Sequence, residues 1–301
     1  ELDLKGNSPA LFAWLGSVLR DAKAPEESIE ILKRAQRRWP DDFWLNYQLS
    51  RSLNKAGQPS EALSFARAAH ANRPNSLLAN WGMIGMLYEN RDYQGSVAVA
   101  EQLLRRQTLG KSELVTFARH LVALGCRGGK FGGIAGGFNG SFFGGLSDAN
   151  PYLELGAEVY EQAVPDDPKW TKTRLQYAST YLLLNRSKEA LHVLETINPN
   201  HLTSRGEFYA LVGRAKLNLG QLDDAQRAFR NVLALEGDKN AKNASTFQLA
   251  VCLIIQGKDD EAQAVLDQVS LRPSNPVATF VTEWYRRNED WSAAEAYLRP
   301  E

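Results

Sequence analysis

Pro9, Phe43, Leu77 and Lys111 are each 34 residues apart, and at each of them the chain starts the same kind of segment. A constant interval of this length restricts the fold more than any other feature of the sequence. One such unit cannot bury its own hydrophobic face, so neighbouring units must stack and share a continuous core. In the first unit the recurring positions are Phe12, Leu15, Gly16 and Leu19, then Ser28, Leu32, Ala35 and Pro40. These describe two helices joined by a turn. The small Gly16 and Ser28 let the pair approach closely, the large apolar residues fill the space around that contact, and Pro40 ends the second helix.

The same pattern returns along the chain. The second unit carries Leu49, Ser50, Leu53, Gly57, Ala62, Ala66, Ala69 and Pro74. The third has Trp81, Ile84, Gly85 and Tyr88, with a turn before Tyr93 that reads as one residue short. Later units carry Tyr177, Ala178, Tyr181, Ala190 and Leu194; then Tyr209, Val212, Gly213, Gly220, Ala225, Phe229 and Val232; then Leu249, Ala250, Leu253, Gly257, Ala262 and Leu266. The last holds Val281, Tyr285, Trp291, Ala294 and Leu298. The period and these positions resemble the tetratricopeptide repeat over nearly the whole chain. The resemblance implies an all-α, right-handed superhelical solenoid of about eight helix-turn-helix units, one domain over residues 1–301. The stretch LKRAQRRWPDDFWLNYQL from Leu32 to Leu49 also resembles repeats that follow bacterial serine/threonine kinase domains. No kinase motif is present, so this likeness concerns ancestry and the option that the chain is a regulatory tail of a larger bacterial protein.

The fourth unit is interrupted. Its first helix carries Leu114, Phe117, Ala118, Leu121 and Gly125; its second appears only at Gly156, Tyr160, Ala163 and Pro168. Gly125 and Gly156 are 31 residues apart, where five separate Gly220 from Ala225, so 26 residues are extra in one intra-repeat turn. The insertion, 126–151, has glycine every fourth residue from Gly128 to Gly144, with Phe131, Ile134, Phe138, Phe142, Phe143 and Leu146 between them. Three conformations compete. A flexible linker suits the glycines but not the bulky apolar residues. A small-residue zipper helix would lose about 1 kcal/mol at each glycine and needs a tight partner. An irregular segment held by tertiary or intersubunit contacts uses glycine for close approach and phenylalanine as anchor; this reading makes the insertion a docking element. Nucleotide binding is excluded. Lys130 is followed by Phe131 and the upstream P-loop glycine is replaced by Leu124, and no two glycines of the insertion lie two apart.

Charge is balanced, 35 basic against 35 acidic residues, which argues against nucleic acid and anionic membrane as partners. There is no apolar run of about 18 residues or more to span a membrane. Cys126 and Cys252 are several units apart, so a disulfide between them is not expected. No signal peptide is visible. A cytoplasmic place is favoured, with an exported or periplasmic one left open because the chain starts at Glu1 without Met. No polar capping helix is visible after Leu298, which suggests cover by a neighbour.

The chemistry-bearing residues point to binding. Asp41–Asp42, Asp166–Asp167, Asp223–Asp224 and Asp259–Asp260 fall at turns and helix starts, where aspartate caps free N–H groups. His70, His120, His192 and His201 have no metal-ligand spacing. No catalytic residue, cofactor or metal is expected. In such arrays the first helix of each pair lines the concave face. That places Trp44, Tyr47, Gln48, Arg51, Trp81, Tyr88, Arg119, Gln176, Arg214, Phe247 and Gln248 in a groove. Arginine and aromatic residues are common anchors, and Gln48, Gln176 and Gln248 share one position from which to hydrogen-bond a partner backbone. Packing between repeats is the competing role for Trp44 and Trp81. The Lys/Asn/Arg set that grips chaperone C-termini does not occur in register. The expected function is a non-enzymatic protein-protein interaction scaffold: an assembly subunit docking through the insertion, or a monomeric adaptor holding a peptide in the groove.

Overall fold

The computed structural model describes residues 7–106, 109–127, 150–163, 170–202, 205–235 and 239–267. Fourteen α-helices and one short 3-10 helix, with no strand, occur among the described residues. They fall into two compact units, Glu1–Leu109 and Gly110–Glu301. The first unit contains α1 (Pro9–Asp21), α2 (Pro25–Arg38), α3 (Phe43–Lys55), α4 (Pro59–Asn72), α5 (Leu77–Glu89) and α6 (Tyr93–Arg106). The second contains α7 (Lys111–Arg127), α8 (Pro151–Ala163), α9 (Thr171–Leu183), α10 (Ser187–Glu195), the 3-10 turn Pro199–His201, α11 (Arg205–Asn218), α12 (Leu222–Ala234), α13 (Lys239–Ile255) and α14 (Asp259–Asp267). The helices pair as consecutive hairpins, α1 with α2 through α13 with α14. The starts expected at Pro9, Phe43, Leu77 and Lys111 are the starts of α1, α3, α5 and α7.

Small residues set the spacing within each pair. A β-carbon on Gly16 would lie 2.5 Å from Leu32, itself fully buried. On Gly213 it would lie 2.4 Å from the Phe229 ring, and on Gly156 2.8 Å from Val122. Serine serves the same purpose from the opposite helix. Ser28 donates to the Gly16 carbonyl at 2.7 Å, and Ser96, two periods on, donates to the Ile84 carbonyl at 2.9 Å. A buried hydroxyl is tolerated there because it is hydrogen-bonded. Ser28 also meets Ser52 of the next pair at 2.8 Å.

Six intra-pair turns have one geometry. Each is three residues long, and the middle residue is left-handed: Lys23, Gly57, Arg91, Asn185, Gly220 and Gly257, with φ between 58° and 75°. The following N–H then reaches the carbonyl five residues back, as from Ala24 to Leu19, Gln58 to Leu53 and Asp92 to Leu87, each at 2.9 Å. This satisfies a carbonyl that the helix end leaves open. The turn before Tyr93 is therefore not short. Asn90–Asp92 matches the other turns in length, and the missing signal was a glycine, because Arg91 adopts φ 63° in its place.

Turns between pairs are held differently in the first unit. Asn46 and Asn80, one period apart and buried, each donate to two backbone carbonyls: Pro40 and Asp42 at 2.6 and 2.8 Å, Pro74 and Ser76 at 2.9 Å each. They tie the inter-repeat turn to the start of the next helix. In the second unit Asn150 does comparable work at the α7–α8 corner. It donates to the Gly125 carbonyl at 3.0 Å and accepts from the Tyr152 N–H at 3.1 Å, so α7 and α8 pack as a closed hairpin.

Candidate functional site

In the first unit α1 packs on α3 and α3 on α5, whereas α2 and α4 pack on the first helices of their own and the next pair. The first helices thus form one continuous layer, on which Trp14 and Trp44 are exposed. Trp44, Tyr47, Gln48 and Arg51 lie at i, i+3, i+4 and i+7 of α3, which puts them on one stripe of that layer. The stripe opens with packed rings. Phe43 and Trp44 meet edge to face with centroids 5.0 Å apart, and Phe43 stacks on Tyr47 at 5.8 Å. The Arg73 guanidinium lies over Phe43 at 4.6 Å and over Trp44 at 6.0 Å. Cation–π contacts of this kind hold the rings in place. A side chain at Gly82 would come within 3.3 Å of the Tyr47 ring, so that glycine leaves room for it.

The far end of the stripe is charged. Arg20 of α1 is 6% exposed and donates through Nη1 to Gln48 Oε1 at 2.6 Å. Its carboxylate partner is Asp21 at 3.2 Å, a mostly solvated neighbour. Arg51 is exposed, lies 5.8 Å over the Tyr47 ring and hydrogen-bonds the Tyr47 hydroxyl. The two guanidinium groups repel. Arg20 is held below the usual arginine range first by desolvation and then by Arg51, with Asp21 opposing. Burial raises the Tyr47 phenol, with Arg51 and Arg20 pulling the other way.

Two residues of this face escape a reading that starts at α3. Trp14, one period before Gln48, is 61% exposed, the most exposed large hydrophobic side chain described. Arg20 is the other. Trp44 is 40% exposed, which leaves its indole edge free for contact while its ring packs on Phe43. Trp81 and Tyr88 of α5 are half-buried, and Tyr88 meets the exposed Tyr93 edge to face at 5.4 Å. The structure thus gathers Trp44, Tyr47, Gln48 and Arg51 on one stripe of α3, with Trp81 and Tyr88 on the adjacent helix α5.

The remaining expected groove residues belong to the second unit. Arg119 is exposed and donates through Nε to Gln176 Oε1 at 2.8 Å. It also hydrogen-bonds Tyr160, whose phenol burial pushes up to about 12. Gln48 and Gln176 therefore spend their amide oxygens on an arginine of the preceding first helix. Arg214 and Phe247 are half-buried, and Gln248 is 2% exposed. A cleft of about 340 Å³ opens between α10, α11 and α12, floored by Leu191, Leu194, Phe208, Tyr209, Val212 and Ala228. Lys216, Asp224 and Arg227 form ion pairs at its rim. Nothing in the sequence pattern marked this cleft, because its floor residues are ordinary repeat positions. The insertion residues Phe131, Ile134, Phe138, Phe142, Phe143 and Leu146 lie outside the described residues.

The acidic pairs fall where helices begin. Asp42 accepts from the Leu45 N–H at 2.9 Å, and Asp223–Asp224 and Asp259–Asp260 occupy the first turns of α12 and α14. Asp166–Asp167 lie outside the described residues. His70 meets the Asn80 amide oxygen at 3.2 Å, within the clamp of the inter-repeat turn. Among the described residues no three His, Cys, Asp or Glu side chains converge as a metal site, and no helix is long and apolar enough to cross a membrane. Both cysteines are buried, and desolvation pushes Cys126 up to about 11 and Cys252 up to about 12.

A tetratricopeptide-repeat family profile matches residues 213–276. No curated protein matches the sequence. Among solved structures, the C-terminal part of a tetratricopeptide repeat-containing protein from Cytophaga hutchinsonii is similar, at 10% identity and a TM-score of 0.57, covering 96% of this chain and all of that one. A tetratricopeptide repeat protein from Parabacteroides merdae is similar at 12% identity and a TM-score of 0.43, covering 80% of this chain and 86% of that one. A chain of the Naa15/Naa10 structure bound to HypK-THB is similar at 18% identity and a TM-score of 0.48, covering 97% of this chain but 41% of that one. The 34-residue period, the paired helices with small residues at their crossings, the profile match and the Cytophaga fold agree: residues 213–276 match the tetratricopeptide-repeat family, and the chain has the all-α fold of tetratricopeptide-repeat solenoids.

Proposed function

We propose that this protein is a non-enzymatic binding scaffold that holds a partner protein on the face of the α1, α3 and α5 layer where Trp14 and Trp44 are exposed. One observation carries the reading: Trp14 and Trp44 present 61% and 40% of their surface on the face that also holds Arg20 and Arg51. Exposed tryptophan beside arginine is the composition of interface anchors. The rest of the face is rigid. Ring stacking, the Arg73 contacts and the Arg20–Gln48 bond fix its side chains before any partner arrives, which lowers the entropy cost of binding. The test is co-purification from the source cell with wild type and with Trp14→Ala/Trp44→Ala. Loss of partner recovery at unchanged helix content supports the reading; recovery equal to wild type refutes it.

A second reading, an assembly subunit docking through residues 128–147, draws support from the closed α7–α8 hairpin. Asn150 and Gly125 bridge that corner directly, so the repeat does not need the intervening residues to complete its packing. That leaves the glycine- and phenylalanine-rich segment available for another role. Deleting Gly128–Ser147 is expected to lower the oligomeric mass or remove a partner while leaving the thermal unfolding of the array in place. Unchanged mass and recovery would remove this reading.

A further inference from the structure

We propose that the face of the first unit selects an acidic segment of its partner, a carboxylate side chain bridging Arg20 and Arg51 while a neighbouring apolar or aromatic side chain packs between Trp14 and Trp44. The inference rests on the binding reading above and adds the chemistry of the occupant.

The argument is one of charge and geometry. Arg20 projects from α1 and Arg51 from α3, and Gln48 Oε1 accepts from Arg20 to fix where that guanidinium points. Tyr47 does the same for Arg51 through its hydroxyl and ring face. Arg51 is thus oriented by a neutral partner, while Arg20 is held by neutral Gln48 and by the carboxylate of Asp21, close enough to Arg51 for the two positive charges to repel. Among the described ion pairs, Asp21 is the carboxylate that serves Arg20, and its side chain is 71% exposed. Arg51 has no ion pair among the described residues. Arg20 is lowered first by desolvation and then by repulsion from Arg51, and an added anion close to both groups relieves the repulsion.

A carboxylate suits this site better than a neutral acceptor. Guanidinium presents N–H pairs in a planar fork that matches two carboxylate oxygens, and charge-assisted bonds are about twice as strong as neutral ones. Arg20 is already desolvated by folding, so much of its cost of leaving water is met before binding. The adjacent Trp14 and Trp44 surfaces supply apolar area, and a bound segment would shield the ion pair from solvent.

The experiment selects linear peptides displayed inside a loop, so that neither terminus is free, on the full chain and in parallel on Arg51→Gln, Arg20→Gln and Trp44→Ala. A selected peptide is then synthesised with blocked ends, together with a copy in which Asp and Glu become Asn and Gln. The expected result is enrichment of Asp or Glu next to an aromatic or aliphatic residue. The amide copy and the Arg51→Gln protein should each bind about tenfold more weakly or worse, and added salt should weaken binding of the acidic peptide only. Arg51 is exposed, so Arg51→Gln is expected to unfold like wild type. Selection of uncharged or basic peptides that depend on Trp44 but not on Arg51 overturns the acidic inference and leaves the binding face standing. Peptides indifferent to both Trp44 and Arg51, or no selection at all, overturn both.

Discussion

Gly213→Ala separates crossing geometry from helix propensity. Taken alone, replacing a mid-helix glycine with alanine stabilises by about 1 kcal/mol, because alanine loses less backbone freedom. At Gly213 the new methyl would lie 2.4, 2.7 and 2.7 Å from three carbons of the Phe229 ring. No real β-carbon contact is that short, so something must move. Phe229 is fully buried and rigid, and it packs among Leu217, Ala225, Leu249 and Leu253. Overpacking of this kind costs about 1–3 kcal/mol, and a stiff buried ring belongs at the upper end. The net expectation is a loss of about 2 kcal/mol after the propensity gain. Gly85 in α5 supplies the control, since nothing lies within 4 Å of its absent β-carbon. Gly85→Ala should gain about 1 kcal/mol. Urea unfolding followed by far-ultraviolet circular dichroism reads both, and Phe229→Leu in the Gly213→Ala background should recover part of the loss. Equal effects of the two alanines, or a stabilised Gly213→Ala, would refute the claim that these glycines set the helix spacing.

Other outcomes follow from the turns and the buried acids. Arg91→Gly and Lys23→Gly relieve left-handed residues that carry a side chain, and each should stabilise by about 1 kcal/mol. Gly220→Ala should lose about as much, although nothing within 4 Å would touch the new methyl; unchanged urea midpoints would show that the turns relax at no cost. Burial favours the neutral forms of Cys252 and Tyr160, raising them to about 12 in the folded chain from 9.0 and 10.0. Raised acids contribute stability that is complete below the unfolded value and lost as pH climbs toward the folded one. Urea midpoints should therefore hold up to about pH 9 and fall between there and about 12. The fall should be shallower in Cys252→Ala, and identical slopes would remove the thiol from this account.

The period was readable because the intra-pair turns described share one length and one backbone path. Any drift there would have blurred the spacing, and α1, α3, α5 and α7 start where the interval puts them. Arg91 hid its turn for the converse reason, since the path was kept without the glycine that advertises it. Asn46 and Asn80 were missed because a polar residue in a first helix reads as surface, yet both face inward and bond the backbone. The site was half legible. Helical spacing put Trp44, Tyr47, Gln48 and Arg51 on one stripe, but not the bond that brings Arg20 of α1 onto it. That contact is between helices, and a one-dimensional pattern carries no distance across a pair. Trp14 was within reach, because it shares the register of Gln48 one period earlier.

Hydroxyl-radical footprinting of the chain with and without its co-purified partner tests the binding face most directly, since tryptophan oxidation reports exposure residue by residue. Trp14 and Trp44 should react readily in the free protein and become protected together in the complex. A complex in which both indoles stay as reactive as in the free chain, with protection elsewhere, would contradict the account.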